Sequence, residues 1–222
     1  MGTRIKAFVI AGAMLFTTFA FPATSSSTDY STTNSPFVEG TDEAAVLFDP
    51  LSISEVQLVT PTSTIDYFRS CCNWEYEGPW MEAQLTMTVK GVTVGPLRVG
   101  FHLKGAWGSW RNIDGKPGIK IKVNAFDPDQ RIFGVKKLIL NNMAQDGPFL
   151  NQQVSSRLFR AMGVPASRTG YSHLKINNTN YGIYTLMESL DQVSLARWFD
   201  STQHLYKGGV PYHWADIIPD HE

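Results

Sequence analysis

The chain has 222 residues, enough for one well-buried domain behind a short leader and too few for two large ones. A formal charge of −1 argues against nucleic acid or an anionic membrane as partners recruited by bulk electrostatics, and 43% apolar with 12% aromatic residues is the make-up of an ordinary folded protein. The two cysteines, Cys71 and Cys72, are neighbours, and His102, His173, His204, His213 and His221 are scattered, so no disulfide framework and no zinc spacing is present. A bond between adjacent cysteines needs a strained ring, and the expectation is two buried thiols, or one thiol paired with another chain.

At the N-terminus, Arg4 and Lys6 precede an apolar run over residues 7–21 and then small and hydroxylated residues. This is the pattern of a secretory signal peptide cut after Ala20, too short for a membrane span, and it predicts a secreted or cell-surface protein. Residues 21–43 are Ser/Thr-rich and are expected to be disordered. From residue 44, Val46, Leu47, Phe48 and Leu51 read as an extended entry into a first strand ending at Thr60. Residues 65–68 fit a helical turn. Ala83, Leu85, Met87 and Val89 alternate with polar residues, turn at Lys90-Gly91, and return to Pro96 as a hairpin.

The next stretch is strand, loop, strand. Leu97, Val99, Phe101 and Leu103 alternate with small or polar residues, and Ile119, Ile121 and Val123 alternate with Lys120 and Lys122. Between them lie Gly105, Gly108, Gly115 and Gly118 with Ser109, Arg111 and Lys116. Glycines let backbone N–H groups approach an anion, and strand lysines can reach the same anion, so the hairpin is a candidate phosphate cover; it also reads as a plain hairpin with a solvated cationic face. Trp107 and Trp110 fit either exposed binding aromatics or pieces of core. A further strand spans residues 132–142. Phe149, Leu150, Val154, Leu158, Phe159 and Met162 then recur at helical spacing and predict a helix whose apolar stripe faces the core, stopped at Gly163 and Pro165. A hairpin over residues 168–187 turns at Asn177 to Asn180, and Asn177-Asn178-Thr179 is a candidate glycosylation site. A last helix over residues 192–199, a short strand ending at Gly208 and an irregular tail from 210 complete a single α+β domain with an antiparallel sheet.

Several blocks then coincide in order: Leu103-Lys104-Gly105, Lys116-Pro117-Gly118-Ile119-Lys120-Ile121-Lys122, Phe133-Gly134-Val135-Lys136-Lys137-Leu138, Leu158-Phe159-Arg160-Ala161-Met162-Gly163-Val164-Pro165, Asn180-Tyr181-Gly182-Ile183-Tyr184 and Met187-Glu188. Together they resemble the CotH (spore coat protein H) kinase family over residues 47–208. The resemblance implies an atypical protein-kinase-like N-terminal lobe, with an antiparallel sheet, one main packed helix and a hinge hairpin, over residues 44–209. It also implies a secreted enzyme that uses ATP with Mg or Mn to phosphorylate Ser or Thr of exported proteins. By the same resemblance Lys104, Ser109, Lys120 and Lys122 would face the nucleotide phosphates, and Met187, Glu188 and Asp191 would lie at the hinge near adenine and ribose.

Where the family carries a helix glutamate this chain has Gln152, which cannot form an ion pair with a strand lysine. The family's catalytic and metal-binding aspartates lie beyond the Leu205-Tyr206-Lys207 segment, where only Asp216 and Asp220 remain. No catalytic residue and no metal ligand is therefore assigned, and the chain is expected to be the N-terminal portion of such a kinase, inactive as it stands. The alternative is a non-catalytic secreted coat or cell-surface protein that keeps the fold for binding a surface partner.

Overall fold

The computed structural model describes residues 40–73, 75–201, 205–209 and 213–216. The expected signal peptide and most of the Ser/Thr-rich segment lie outside these residues. Seven strands form a closed barrel: β1 (Ile53–Val59), β2 (Met81–Val89), β3 (Val92–Lys104), β4 (Gly118–Lys122), β5 (Lys137–Asn141), β6 (Thr169–Ile176) and β7 (Thr179–Glu188), in the order β1-β2-β3-β4-β5-β7-β6. All neighbours are antiparallel except β1 and β6, which run parallel from Ile53 beside Tyr171 to Leu58 beside Ile176 and close the ring.

This overturns the expected kinase-like lobe, an antiparallel sheet with one main packed helix. The alternation along each strand shows which residues face inward, but it is silent on a parallel pairing between segments more than a hundred residues apart, and that pairing removes the free edge. The barrel interior takes the place of the expected helix-to-sheet core. Leu58, Leu85, Met87, Val99, Phe101, Leu103, Ile119, Ile121, Leu138, Leu140, Leu174, Tyr184 and Leu186 are buried in it. The segment 92–104 is one strand rather than two. Its partner β2 has a bulge between Leu85 and Met87, opposite Gly95, where a Cβ would meet the Leu85 carbonyl oxygen at 2.3 Å.

Three helices lie outside the barrel: α1 (Thr62–Cys71), α2 (Asn151–Ala161) and α3 (Gln192–Leu195). Residues 43–48, of which 46–48 were expected to be extended, form a 3-10 helix that buries Leu47 and Phe48. Phe68 of α1 enters the core edge-on to Phe101, with ring centres 5.3 Å apart. In α2 the expected orientation is reversed. Gln153 and Ser156 are its buried residues, while Leu150, Val154, Leu158, Phe159 and Met162 are exposed, Met162 at 70%. The reason is polar anchoring of one face and of the N-terminal end of the helix. The Thr169 hydroxyl donates to Gln153 Oε1 at 2.6 Å, and the Asp146 carboxylate accepts the backbone N–H groups of Leu150, Asn151 and Gln152. Within residues 210–222, expected to be irregular, β9 (His213–Asp216) pairs antiparallel with β8 (Tyr206–Gly209).

Candidate functional site

In a barrel wall, residues directly opposite one another on neighbouring strands share a face. Because Phe101, Ile119, Ile121, Leu138 and Leu186 point inward, the residues between them point out. His102 lies opposite Lys120, Lys120 opposite Ile139, and Ile139 opposite Met187, so one row crosses the outer face of β3, β4, β5 and β7. Lys122 and Lys137 sit opposite each other in the adjacent row. Over this face lies a cavity of about 460 Å³, lined by Trp80, Lys120, Lys137, Met187, Leu190 and Tyr206 among others. Its walls are mainly apolar, and its charge comes from the two lysines.

Glu77 organises the cationic side. Its Oε2 accepts from Lys120 Nζ at 2.9 Å, and its Oε1 accepts the Gly105 backbone N–H at 3.2 Å. The carboxylate therefore ties the β4 lysine to the start of the glycine loop. Gly105 itself has φ of +143°, and a Cβ there would press within 3.0 Å of the Trp110 backbone. Burial acts to raise the Glu77 carboxyl, but the Lys120 hydrogen bond and charge and the Gly105 N–H outweigh it, and it is held below the ordinary 4.5. His102 stands edge-on to Trp80 with ring centres 4.2 Å apart, and its Nδ1 donates to the Leu103 carbonyl at 2.6 Å. Burial and the adjacent Lys120 charge push the imidazole below its ordinary 6.5.

The residues singled out from sequence are thus not gathered in one place. Lys120 and Met187 share the cavity. Lys122 is on the same outer face, one row away, and does not line it. Lys104 and Ser109 line a second cleft of about 380 Å³ with Asn141, Asp146 and Gln152. There the Ser109 hydroxyl donates to the Ala106 carbonyl and accepts its N–H, pinning the loop.

Glu188 points away from the cavity. It is 3% exposed and is gripped by two Arg168 bonds of 2.9 Å and by Arg197, and Arg168 also binds Asp42 at 2.6 Å. Asp42 belongs to the segment expected to be disordered. Asp191 caps α3, accepting the N–H groups of Val193 and Ser194. Gln152 donates to the Ser156 hydroxyl, and the lysine it was expected to leave unpaired is served by Glu77. Trp107 is 70% exposed, whereas Trp110 packs against the core. Asn177, half-buried, accepts the Thr60 N–H through its Oδ1 at 2.9 Å.

Glu77, Trp80, His102 and Lys137 were missed from sequence. The outward phase of β3 and β5 could have found His102 and Lys137, since each alternates with an inward residue. Nothing in the sequence announces that Glu77 crosses to β4. The cysteines also depart from expectation: Cys71 and Cys72 are disulfide-bonded to each other and are not free thiols. Cys71 is the last residue of α1, and Cys72 just past it is extended, with φ −115° and ψ 142°.

An apolar slot with aromatic and thioether walls suits a planar base, and the lysines suit phosphate. Among the described residues no group of three or more His, Cys, Asp or Glu is placed to hold a metal ion. No described helix is long and apolar enough to cross a membrane. No curated protein matches the chain. The family model for CotH kinase protein, however, matches residues 104–219, a stretch of more than half the chain that runs from the end of β3 past β9 and includes Lys120, Lys137 and Met187. The chain belongs to the CotH kinase family.

Proposed function

We propose that the outer-face cavity binds ATP, and that the chain is the nucleotide-binding part of a secreted kinase that phosphorylates Ser or Thr of exported proteins. The observation that carries this reading is Lys120, held by Glu77 on the floor of a mainly apolar cavity. Phosphoryl transfer depends on positioning and charge neutralisation, and a lysine fixed by a carboxylate is preorganised for a phosphate oxygen. Lys137 adds a second cation. Trp80, Met187 and Tyr206 would flank the base and exclude water. Bound ATP, with Mg or Mn, would supply the transferable phosphoryl group. Lys104 and Ser109, in the neighbouring cleft, would meet the distal phosphates, whereas Glu188 and Asp191 support the wall through their ion pairs and helix cap and do not touch the ligand. The described residues supply binding, and no catalytic base is assigned among them. The Cys71–Cys72 disulfide supports the secreted reading, because disulfides persist in oxidising compartments.

The test is thermal unfolding of the protein with millimolar ATP and Mn or Mg. A ligand at a hundred times its dissociation constant stabilises by about 2.7 kcal/mol, which raises Tm by several degrees. Lys120→Ala should abolish the rise. An unchanged Tm for the unsubstituted protein sinks the reading.

A further inference from the structure

The Cys71–Cys72 disulfide stands where a covalent change would reach the cavity. Cys71 ends α1 and Cys72 is the first residue past it, both half-buried. Asn73 and Tyr76 close a tight turn by exchanging backbone hydrogen bonds of 3.1 and 3.2 Å, which returns the chain to Glu77 and Gly78. A Cβ on Gly78 would lie 2.7 Å from Cys72 Sγ, 3.6 Å from Cys71 Sγ and 3.5 Å from the Phe68 ring. The disulfide is therefore packed on the backbone next to Glu77. Phe68, against the same glycine, is fully buried.

We propose that Cys71–Cys72 is a redox modification site that sets the Glu77–Lys120 pair: the disulfide holds Glu77 on Lys120, and reduction releases it. With a small dithiol as reductant, one thiolate attacks one cysteine sulfur, breaks the S–S bond and forms a mixed disulfide. The second thiol of the reductant then displaces the protein sulfur. The reductant leaves as a cyclic disulfide, and the protein gains two electrons and two protons as two thiols. Sulfurs bonded at about 2 Å must then part to non-bonded contact. Cys71 is fixed in α1, so the displacement passes to Cys72, Gly78 and Glu77.

The experiment is lysine acylation of the full chain by an N-hydroxysuccinimide acetate, mapped by peptide mass, with and without dithiothreitol and with iodoacetamide to count thiols. The oxidised protein should take up no iodoacetamide and the reduced protein two equivalents. Reduction should raise Lys120 acylation about tenfold, equivalent to about 1.4 kcal/mol, while Lys175 is unchanged. The C71S/C72S double variant should label at the reduced rate whether or not dithiothreitol is present. Two thiols appearing with Lys120 acylation unchanged would make the disulfide a staple only, and thiols titrating before reduction would remove the switch altogether. No nucleotide enters the measurement, so the nucleotide reading can fail without touching this one.

Discussion

Two charged centres sit on the same barrel and are built to opposite specifications. At the end of β7, Glu188 and Arg168 have side chains 4% exposed and are joined by two bonds in a forked geometry, with Arg197 and Asp42 completing the group. On the outer face of β4, Lys120 and Glu77 are 27% and 34% exposed and joined by a single 2.9 Å bond beside an open cavity. In the first, the Glu188 carboxylate and the Arg168 guanidinium are committed to the fold. The second leaves the lysine within reach of a ligand. Both contain residues that the family resemblance assigned to nucleotide binding, and burial with hydrogen-bond saturation is what separates them.

The sharpest way to break the comparison is to remove one partner from each centre. Glu188→Ala should cost about 3–5 kcal/mol in urea unfolding, because it strands Arg168 in a buried place. Lys120→Ala should cost about 1 kcal/mol or less by the same measurement, since its pair is partly solvated, while removing the ATP-dependent rise in Tm.

An intermediate effect is expected from pH. His102 has a folded-state pKa below 6.5, so the unfolded chain binds the proton more readily. Its contribution to stability is complete above 6.5 and is lost as pH falls from there through the folded value. Glu77, lowered from 4.5, keeps its contribution above 4.5 and loses it at more acidic pH through its own folded value. Unfolding free energy measured from pH 7 downward should therefore fall in two stages, and His102→Gln should erase the first. A single acid transition unaffected by that substitution would refute the assignment.

The smallest effect belongs to α2. Leu158→Ala, at a position 57% exposed, should change stability by no more than about 0.5 kcal/mol, against about 2–5 kcal/mol for Leu103→Ala inside the barrel. A large loss at Leu158 would mean that its side chain is covered in solution.

Strand existence was legible in the chain because alternation is a local signal. Phe101 and Leu103, or Ile119 and Ile121, reveal their phase within five residues, and Lys120 followed as an outward position. Barrel closure was not legible, since Ile53 and Tyr171 meet only through a long-range parallel register. The α2 stripe misled because helical spacing identifies an apolar face without stating what covers it, and Gln153 fixed the opposite side while Asp146 held the N-terminal end. Glu188 misled for a related reason: a carboxylate at a strand end reads alike whether it meets a ligand or an arginine.

The parallel seam between β1 and β6 also governs when the fold can exist. The first strand of the barrel waits for a partner that begins 116 residues later, at Thr169, so the ring has no closed intermediate in which β1 is satisfied on both sides. Such non-local pairing slows folding, because the loop entropy is spent before the contact forms. During synthesis the ring stays open until residue 188 has emerged, because β7 must also join β6 to β5.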